Sequence, residues 1–196
     1  MRIALFGGSF NPPHIGHILV AQQVLDFSAQ GGSASGGGFE KIWWLPDYLH
    51  SFDKPLAPVA QRLAMLGCIT LPKTQISTLM ADHKLDGNTI KLVPILKKNY
   101  PDDIFTFIIG SDQLPTFHKW GSWKELLKKM PFLVVPRAGY LLEPLYDGMK
   151  VLDNKLFITT NISSSMVRAR IAQKLAITHL VTPEVEKYIK NNNLYT

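Results

Sequence analysis

Two short stretches, far apart in the chain, carry residue types able to hold phosphate. His14 and His17 stand three residues apart, just after Gly7-Gly8 and the pair Pro12-Pro13. Imidazoles at that spacing share one helical face and can point at the same anion. The glycine pair lets the main chain turn sharply and approach a ligand closely, because no Cβ is in the way. The second stretch, Ile162-Ser-Ser-Ser-Met-Val-Arg168, offers the hydroxyls of Ser163, Ser164 and Ser165 and the fixed positive fork of Arg168. Taken singly, each feature has an ordinary explanation: glycine pairs make turns, and serine is a good helix N-cap. Together, two anion sites on separate chain crossovers fit a polyphosphate such as ATP better than a monophosphate.

These residues need elements to position them. Arg2-Ile-Ala-Leu-Phe6 is a short apolar run that reads as a buried strand. Ile18, Ala21, Val24, Leu25 and Phe27 fall near one helical face, and the prolines delay that helix until about residues 15–17. The product is a strand, a glycine turn and a helix N-terminus, whose unpaired N–H groups attract anions. Lys41-Ile-Trp-Trp-Leu-Pro46 reads as a second strand, followed by a polar loop over 47–58. In open α/β sheets ligands bind at that end of the strands, so Lys54 is a candidate phosphate contact.

The remaining pattern predicts a helix over 58–71, a strand over 75–79 and a helix over 88–99, kinked or started late by Pro94. Phe105-Thr-Phe-Ile-Ile109 is the strongest strand signal and leads into Gly110-Ser-Asp112. A helix over 122–130 with Ser122 as its cap follows, then strands over 132–137 and 155–159 and a helix over 163–175. Thr182-Pro-Glu184 opens the last helix with a capping threonine, a first-turn proline and an acid. Strands alternating with helices predict an α/β fold, with a mostly parallel sheet and right-handed crossovers. No internal repeat or boundary divides it, so residues 1–196 read as a single domain.

At 196 residues the chain can bury a sizeable core. Its 21 Lys and Arg against 15 Asp and Glu give a net charge of +6, which suits an anionic ligand. The charge is spread rather than clustered, which argues against nucleic acid as a partner. A single cysteine, Cys68, excludes an intramolecular disulfide and any cysteine-only metal cluster. No carboxylate cluster offers a metal cage, so no protein-held metal is expected, and Mg2+ would arrive on the ATP phosphates. The first apolar run stops at Phe6, too soon for a secretory signal, and no stretch approaches the length of a membrane span. A cytoplasmic protein without a membrane partner is expected. Gly31-Gly-Ser-Ala-Ser-Gly-Gly-Gly38 reads as a surface loop or insertion with no chemistry.

Assembled, these segments resemble the nucleotidylyltransferase superfamily and, within it, the bacterial nicotinate mononucleotide adenylyltransferases. The likeness covers nearly the whole chain. It runs through Gly7-Gly-Ser-Phe-Asn-Pro-Pro-His-Ile-Gly-His17, Phe107-Ile-Ile-Gly-Ser-Asp-Gln-Leu114, Phe117-His-Lys-Trp120, Val134-Val-Pro-Arg-Ala-Gly139 and Ile162 to Arg168. Thr182 to Ile189, with Leu194-Tyr195, resembles that family's C-terminal helix. The resemblance implies a Rossmann-like doubly wound sheet with helices on both faces and a C-terminal helical part. It implies transfer of the adenylyl group of ATP to nicotinate mononucleotide, in the biosynthesis of NAD, with a homo-oligomer allowed.

By that resemblance His14, His17 and Arg168 would be catalytic. Gly8, Ser9, Phe10, His17, Gly110, Asp112, the three serines 163–165 and Arg168 would bind ATP. Ser9, Phe10, Lys54, Thr89, Trp120 and Arg137 would meet the acceptor, with Trp120 on or beside the pyridine ring. Two departures touch the acceptor side. Phe52-Asp-Lys54 stands where the family usually has Pro-His-Lys, and Gly87-Asn-Thr-Ile-Lys-Leu92 where it usually has Ser-Tyr-Thr-x-Asp-Thr, so only Lys54 and Thr89 match. Nicotinate mononucleotide, nicotinamide mononucleotide and other phosphate acceptors therefore stay open, as does a non-catalytic nucleotide- or RNA-binding module. His14-Ile-Gly-His17 is also the tetrapeptide of class I aminoacyl-tRNA synthetases, but the chain is too short for a tRNA-binding region and lacks their lysine-serine loop.

In such a transfer the attacking phosphate oxygen is already anionic and needs no base. The protein must align two anions and stabilise charge on the leaving pyrophosphate, where one well-placed donor is worth roughly 3–4 kcal/mol. His17→Ala should therefore lower kcat by about 10²–10³ with a smaller change in the KM for ATP, read from steady-state kinetics.

Overall fold

The computed structural model describes residues 1–27, 38–49 and 56–196. Lys54 and residues 31–37 of the glycine-serine run lie outside the described residues. Six strands form one sheet in the order β3-β2-β1-β4-β5-β6, every neighbouring pair parallel. They are β1 (Arg2–Gly8), β2 (Lys41–Pro46), β3 (Thr74–Ile76), β4 (Ile104–Gly110), β5 (Phe132–Val135) and β6 (Met149–Val151). This is the doubly wound order whose reversal, between β1 and β4, opens a crevice at the carboxyl ends of the strands.

Alternation along each strand sorts its residues onto the two faces of the sheet. Ala4, Ile42, Trp44, Ile108 and Val135 face one core. There they meet α1 (Ile15–Phe27), α2 (Val59–Gly67), α6 (Ser164–Ala172) and α7 (Pro183–Asn191), through residues such as Val24, Leu66, Val167 and Val185. Ile3, Leu5, Trp43, Phe107 and Val134 face the other core. That side is covered by α3 (Leu79–Asp82), α4 (Leu92–Asn99) and α5 (Trp123–Lys129), with Leu114 and Phe117 from a 3₁₀ run over 111–119. Helices lie on both faces, and no described helix is long and apolar enough to cross a membrane.

Three local expectations are corrected. Residues 155–159 form no strand; the sheet instead ends on β6, six residues earlier at its start. The 155–159 backbone pairs with a side chain, as the Ile158 N–H donates to Gln23 Oε1 at 2.5 Å and Gln23 Nε2 donates back to the Ile158 carbonyl at 3.1 Å. A buried amide on α1 thus does the work that a neighbouring strand would do. Ser122 precedes α5 with a left-handed backbone (φ 52°) and makes no capping hydrogen bond. The strand expected over 75–79 ends at Ile76, and Leu79 already begins α3. Pro94 sits in the first turn of α4, where its missing N–H costs nothing. Thr182 caps α7 as expected, accepting from the Val185 N–H at 3.3 Å.

Gly7, next to last in β1, lies directly against the Phe107 ring, which would collide with any Cβ at that position. Phe107 cannot easily yield, because it is packed against Trp120 and Phe132 with ring centroids 6.2 and 5.7 Å away. Gly7→Ala should cost about 1–3 kcal/mol, measured as a lowered denaturation midpoint at unchanged slope.

Candidate active site

A cavity of about 660 Å³ opens over the carboxyl ends of β1 and its neighbours. Gly8, Ser9 and Phe10 form its floor at the end of β1; His14, Gly16 and His17 stand at the start of α1; Ser163, Ser164 and Ser165 begin α6. Gly110, Asp112 and Arg137 line it beyond β4 and β5, and Thr89 and Trp120 also line it. Stretches separated by some 150 residues of chain therefore meet in one space. Arg168 stands close behind, its guanidinium donating to the Asn11 carbonyl at 2.7 Å and to Ser165 Oγ at 3.1 Å. Ser164 Oγ donates to the Pro12 carbonyl at 2.8 Å. These bonds lock the second crossover onto the first.

The two imidazoles are stacked, with centroids 3.6 Å apart. Burial, aided by Arg137, pushes His14 down to about 3, and burial together with its neighbours holds His17 well below its ordinary value. Both are neutral at pH 7 and act as hydrogen-bonding groups rather than charges. The His14 N–H donates to His17 Nδ1 at 3.0 Å, so the neutral His17 carries its proton on Nε2, as a donor. The His14 ring lies against Gly16, where a Cβ would sit 3.0 Å from Nδ1, so a side chain there needs its neighbours to give by a few tenths of an ångström.

The helix N-terminus itself is less open than the sequence suggests. Ile15 N–H donates to the Leu180 carbonyl and His17 N–H to the His14 carbonyl, each at 2.9 Å. The start of α6 is more available. Ser163 Oγ caps it by accepting from Met166 N–H at 3.2 Å, and the first-turn amides of Ser164 and Ser165, which line the cavity, have no intrahelical partner.

The sequence reading put Arg137 with the acceptor. Its guanidinium lies 3.6 Å from the Asp112 carboxylate and donates to the Ile162 carbonyl at 2.8 Å, among the residues expected to meet ATP. Asp112 and Arg137 together crowd Gly110, where a Cβ would strike both. Trp120 packs on Phe117, with centroids 5.1 Å apart, and edge-on to Phe107, so it is braced from below at the cavity wall. Phe10 is buried, with a left-handed backbone (φ 45°) held by a ring cluster with Phe6, His17 and Trp44.

The family profile described as cytidylyltransferase-like matches residues 5–170. The nicotinate-nucleotide adenylyltransferase of Bacillus subtilis (strain 168) is 31% identical over 99% of this chain and 98% of its own. The chain belongs to the nicotinate-nucleotide adenylyltransferase family. Solved structures agree on the fold. The Plasmodium falciparum nicotinic acid mononucleotide adenylyltransferase complexed with NaAD superposes with a TM-score of 0.76 at 21% identity, covering 99% of this chain and 97% of that one. The same enzyme complexed with APC gives 0.73 at 22% identity over 99% and 96%. The protein is thus an adenylyltransferase-family enzyme with a Rossmann-like sheet.

Within this family member, the residues that shape the loop after β1 include several that the sequence did not single out. Arg62 on α2 is almost wholly buried beneath the loop. It donates from Nε to the Ala57 carbonyl at 2.9 Å, from Nη1 to Ser9 at 2.9 Å and from Nη2 to Asp47 at 2.7 Å. Asn11 Oδ1 accepts from Ala57 N–H at 3.1 Å and from Tyr195 Oη at 2.8 Å, tying in the end of the chain. Burial raises the Tyr195 phenol to about 12, so it remains a donor at every physiological pH. The only sequence signal for Arg62 is a charged residue inside a mostly apolar helix. Replacing it by Lys leaves one ammonium to serve three carbonyls, and unserved buried acceptors cost about 1–3 kcal/mol each. Arg62→Lys should lower Tm by about 4–10 °C in a calorimetric scan.

Proposed function

We propose that the protein transfers the adenylyl group of ATP to nicotinate mononucleotide, releasing pyrophosphate and the dinucleotide, a step of NAD biosynthesis. The observation that carries this reading is the single cavity that joins both phosphate-binding crossovers to the Trp120 end, in a chain of this family. ATP would lie towards β4 and α6, held by Gly110, Asp112, the serines 163–165 and Arg168. We place Arg137 on that side too. Ser9, Phe10, Thr89, Trp120 and Lys54 would meet the acceptor.

The reaction forms one bond, from an acceptor phosphate oxygen to the α-phosphorus of ATP, and breaks the bond to the bridging α–β oxygen. The attacking oxygen already carries charge, so no residue needs to remove a proton. Positioning supplies the larger share of the acceleration, worth about 7–11 kcal/mol at best for well-aligned reactants. His17 Nε2–H and the α6 amides donate towards the departing pyrophosphate, in a setting where fixed dipoles need no reorganisation. Neutral histidines suit this task, since they give up no proton at working pH.

Nucleotidyltransferases generally use a divalent cation with the nucleotide, and we take that ion to be Mg2+. Among the described residues no three acidic, histidine or cysteine side chains converge, so the donor set fits an ion carried by the phosphates rather than a resident one. When bound, it would neutralise phosphate charge beside Ser163 to Ser165.

We further read residues 1–196 as one cytoplasmic domain with no nucleic-acid partner and the capacity to form a homo-oligomer. A coupled assay with ATP, Mg2+ and each mononucleotide in turn tests the activity. Nicotinate mononucleotide should be preferred over nicotinamide mononucleotide by about tenfold or more in kcat/KM, on the scale of one hydrogen-bonded substituent. Equal use of the two, or no dinucleotide with either, would overturn the assignment.

A further inference from the structure

Asp47 presents an apparent contradiction. It lines the cavity meant for two polyanionic reactants, yet it is itself an acid. It follows Pro46, the last residue of β2, and its N–H donates to the Gly8 carbonyl at 3.0 Å, which places it beside the phosphate loop. Its main-chain carbonyl is held by Arg62. Among the described residues no donor hydrogen-bonds its carboxylate.

The site has a second acid in the mirrored position. Asp112 lies two residues beyond Gly110, the last residue of β4, and has its own arginine, Arg137, 3.6 Å away. β2 and β4 are the two parallel neighbours of β1. The loop after β1 is therefore flanked on each side by one acid with an arginine at hand: Asp112 with Arg137 at its carboxylate, and Asp47 with Arg62 at its main-chain carbonyl. The reaction likewise places one nucleoside on each side of the reacting phosphates.

A carboxylate in this setting cannot bind phosphate or the pyridine carboxylate, because like charges repel. The neutral donors that both reactants carry next to their phosphates are ribose hydroxyls, and a carboxylate accepts from a vicinal pair of them. With Asp112 on the ATP side, we infer that Asp47 binds the ribose hydroxyls of the acceptor mononucleotide and so selects a ribonucleotide acceptor. The inference rests on the adenylyl-transfer reading. Burial raises the Asp47 carboxyl to about 6 while Arg62 opposes that rise, so it is ionised and able to accept at neutral pH.

The test compares Asp47→Ala and Asp47→Asn with the wild-type enzyme, using nicotinate mononucleotide and its 2′-deoxy and 3′-deoxy forms at saturating ATP and Mg2+. Wild type should lose about tenfold to a hundredfold in kcat/KM when one hydroxyl is removed, the usual scale for a hydrogen bond to a charged group. Asp47→Ala should show the same loss with the ribonucleotide, chiefly in acceptor KM, and no further loss with that deoxy form. ATP KM should stay within about twofold. Asp47→Asn keeps the volume and one acceptor oxygen, so it should fall between them and guards against a misfolded alanine variant. If either variant discriminates ribo from deoxy acceptors as strongly as wild type, the assignment of Asp47 fails while adenylyl transfer stands. If no mononucleotide gives turnover with the wild-type enzyme, both fail together.

Discussion

The irregular loop after β1 depends on side chains for its hydrogen bonds. Over residues 9–12 three of its carbonyls are held by side chains. The Ser9 carbonyl is held by Arg62, the Asn11 carbonyl by Arg168 and the Pro12 carbonyl by Ser164. Buried carbonyls left without donors would be costly, so these three side chains, from α2 and α6, set the shape of the loop. The same bonds bring α6 against the start of α1. Shaping of the cavity floor and closure of the fold are one set of interactions.

This arrangement also explains how a basic site keeps its histidines uncharged. Arg137 lowers the affinity of both imidazoles for a proton, and burial does more. The site's positive charge rests on guanidinium groups, which remain protonated under all ordinary conditions. The imidazoles are left as oriented dipoles. Fixed charge and proton-bearing donor are thereby separated, which suits a reaction in which charge moves along a phosphate chain and no acid–base step is required.

The polar bracing at residues 155–162 follows the same logic. An edge strand would have satisfied this segment's backbone, but it would have carried the segment away from the cavity. Gln23 instead pairs with Ile158 from the inner side of α1. Ile158, Thr160 and Ile162 consequently line the cavity, and Ser163 caps α6 at the same cavity wall, which Ser164 and Ser165 also line. One amide side chain on α1 thus sets how the chain enters α6 at the cavity wall.

Local pattern was enough for β1, β2, β4 and β5, for α1 and for the capped start of α7, because apolar period and capping chemistry are short-range properties. It also picked out His14, His17 and Ser163, which the fold brings to one cavity, and Arg168, which bonds the loop beside it, since their residue types and spacing stand out locally. It could not see that Gln23 takes the place of a strand at 155–159, that Arg137 lies beside Asp112, or that Arg62, Asn11 and Tyr195 meet under the loop. Those facts are pairings between residues from 25 to 184 positions apart, counted from Asp112–Arg137 to Asn11–Tyr195. No local propensity encodes them. They were decided when the parallel sheet set the carboxyl ends of β1, β2 and β4 side by side and buried polar groups had to find partners across that junction.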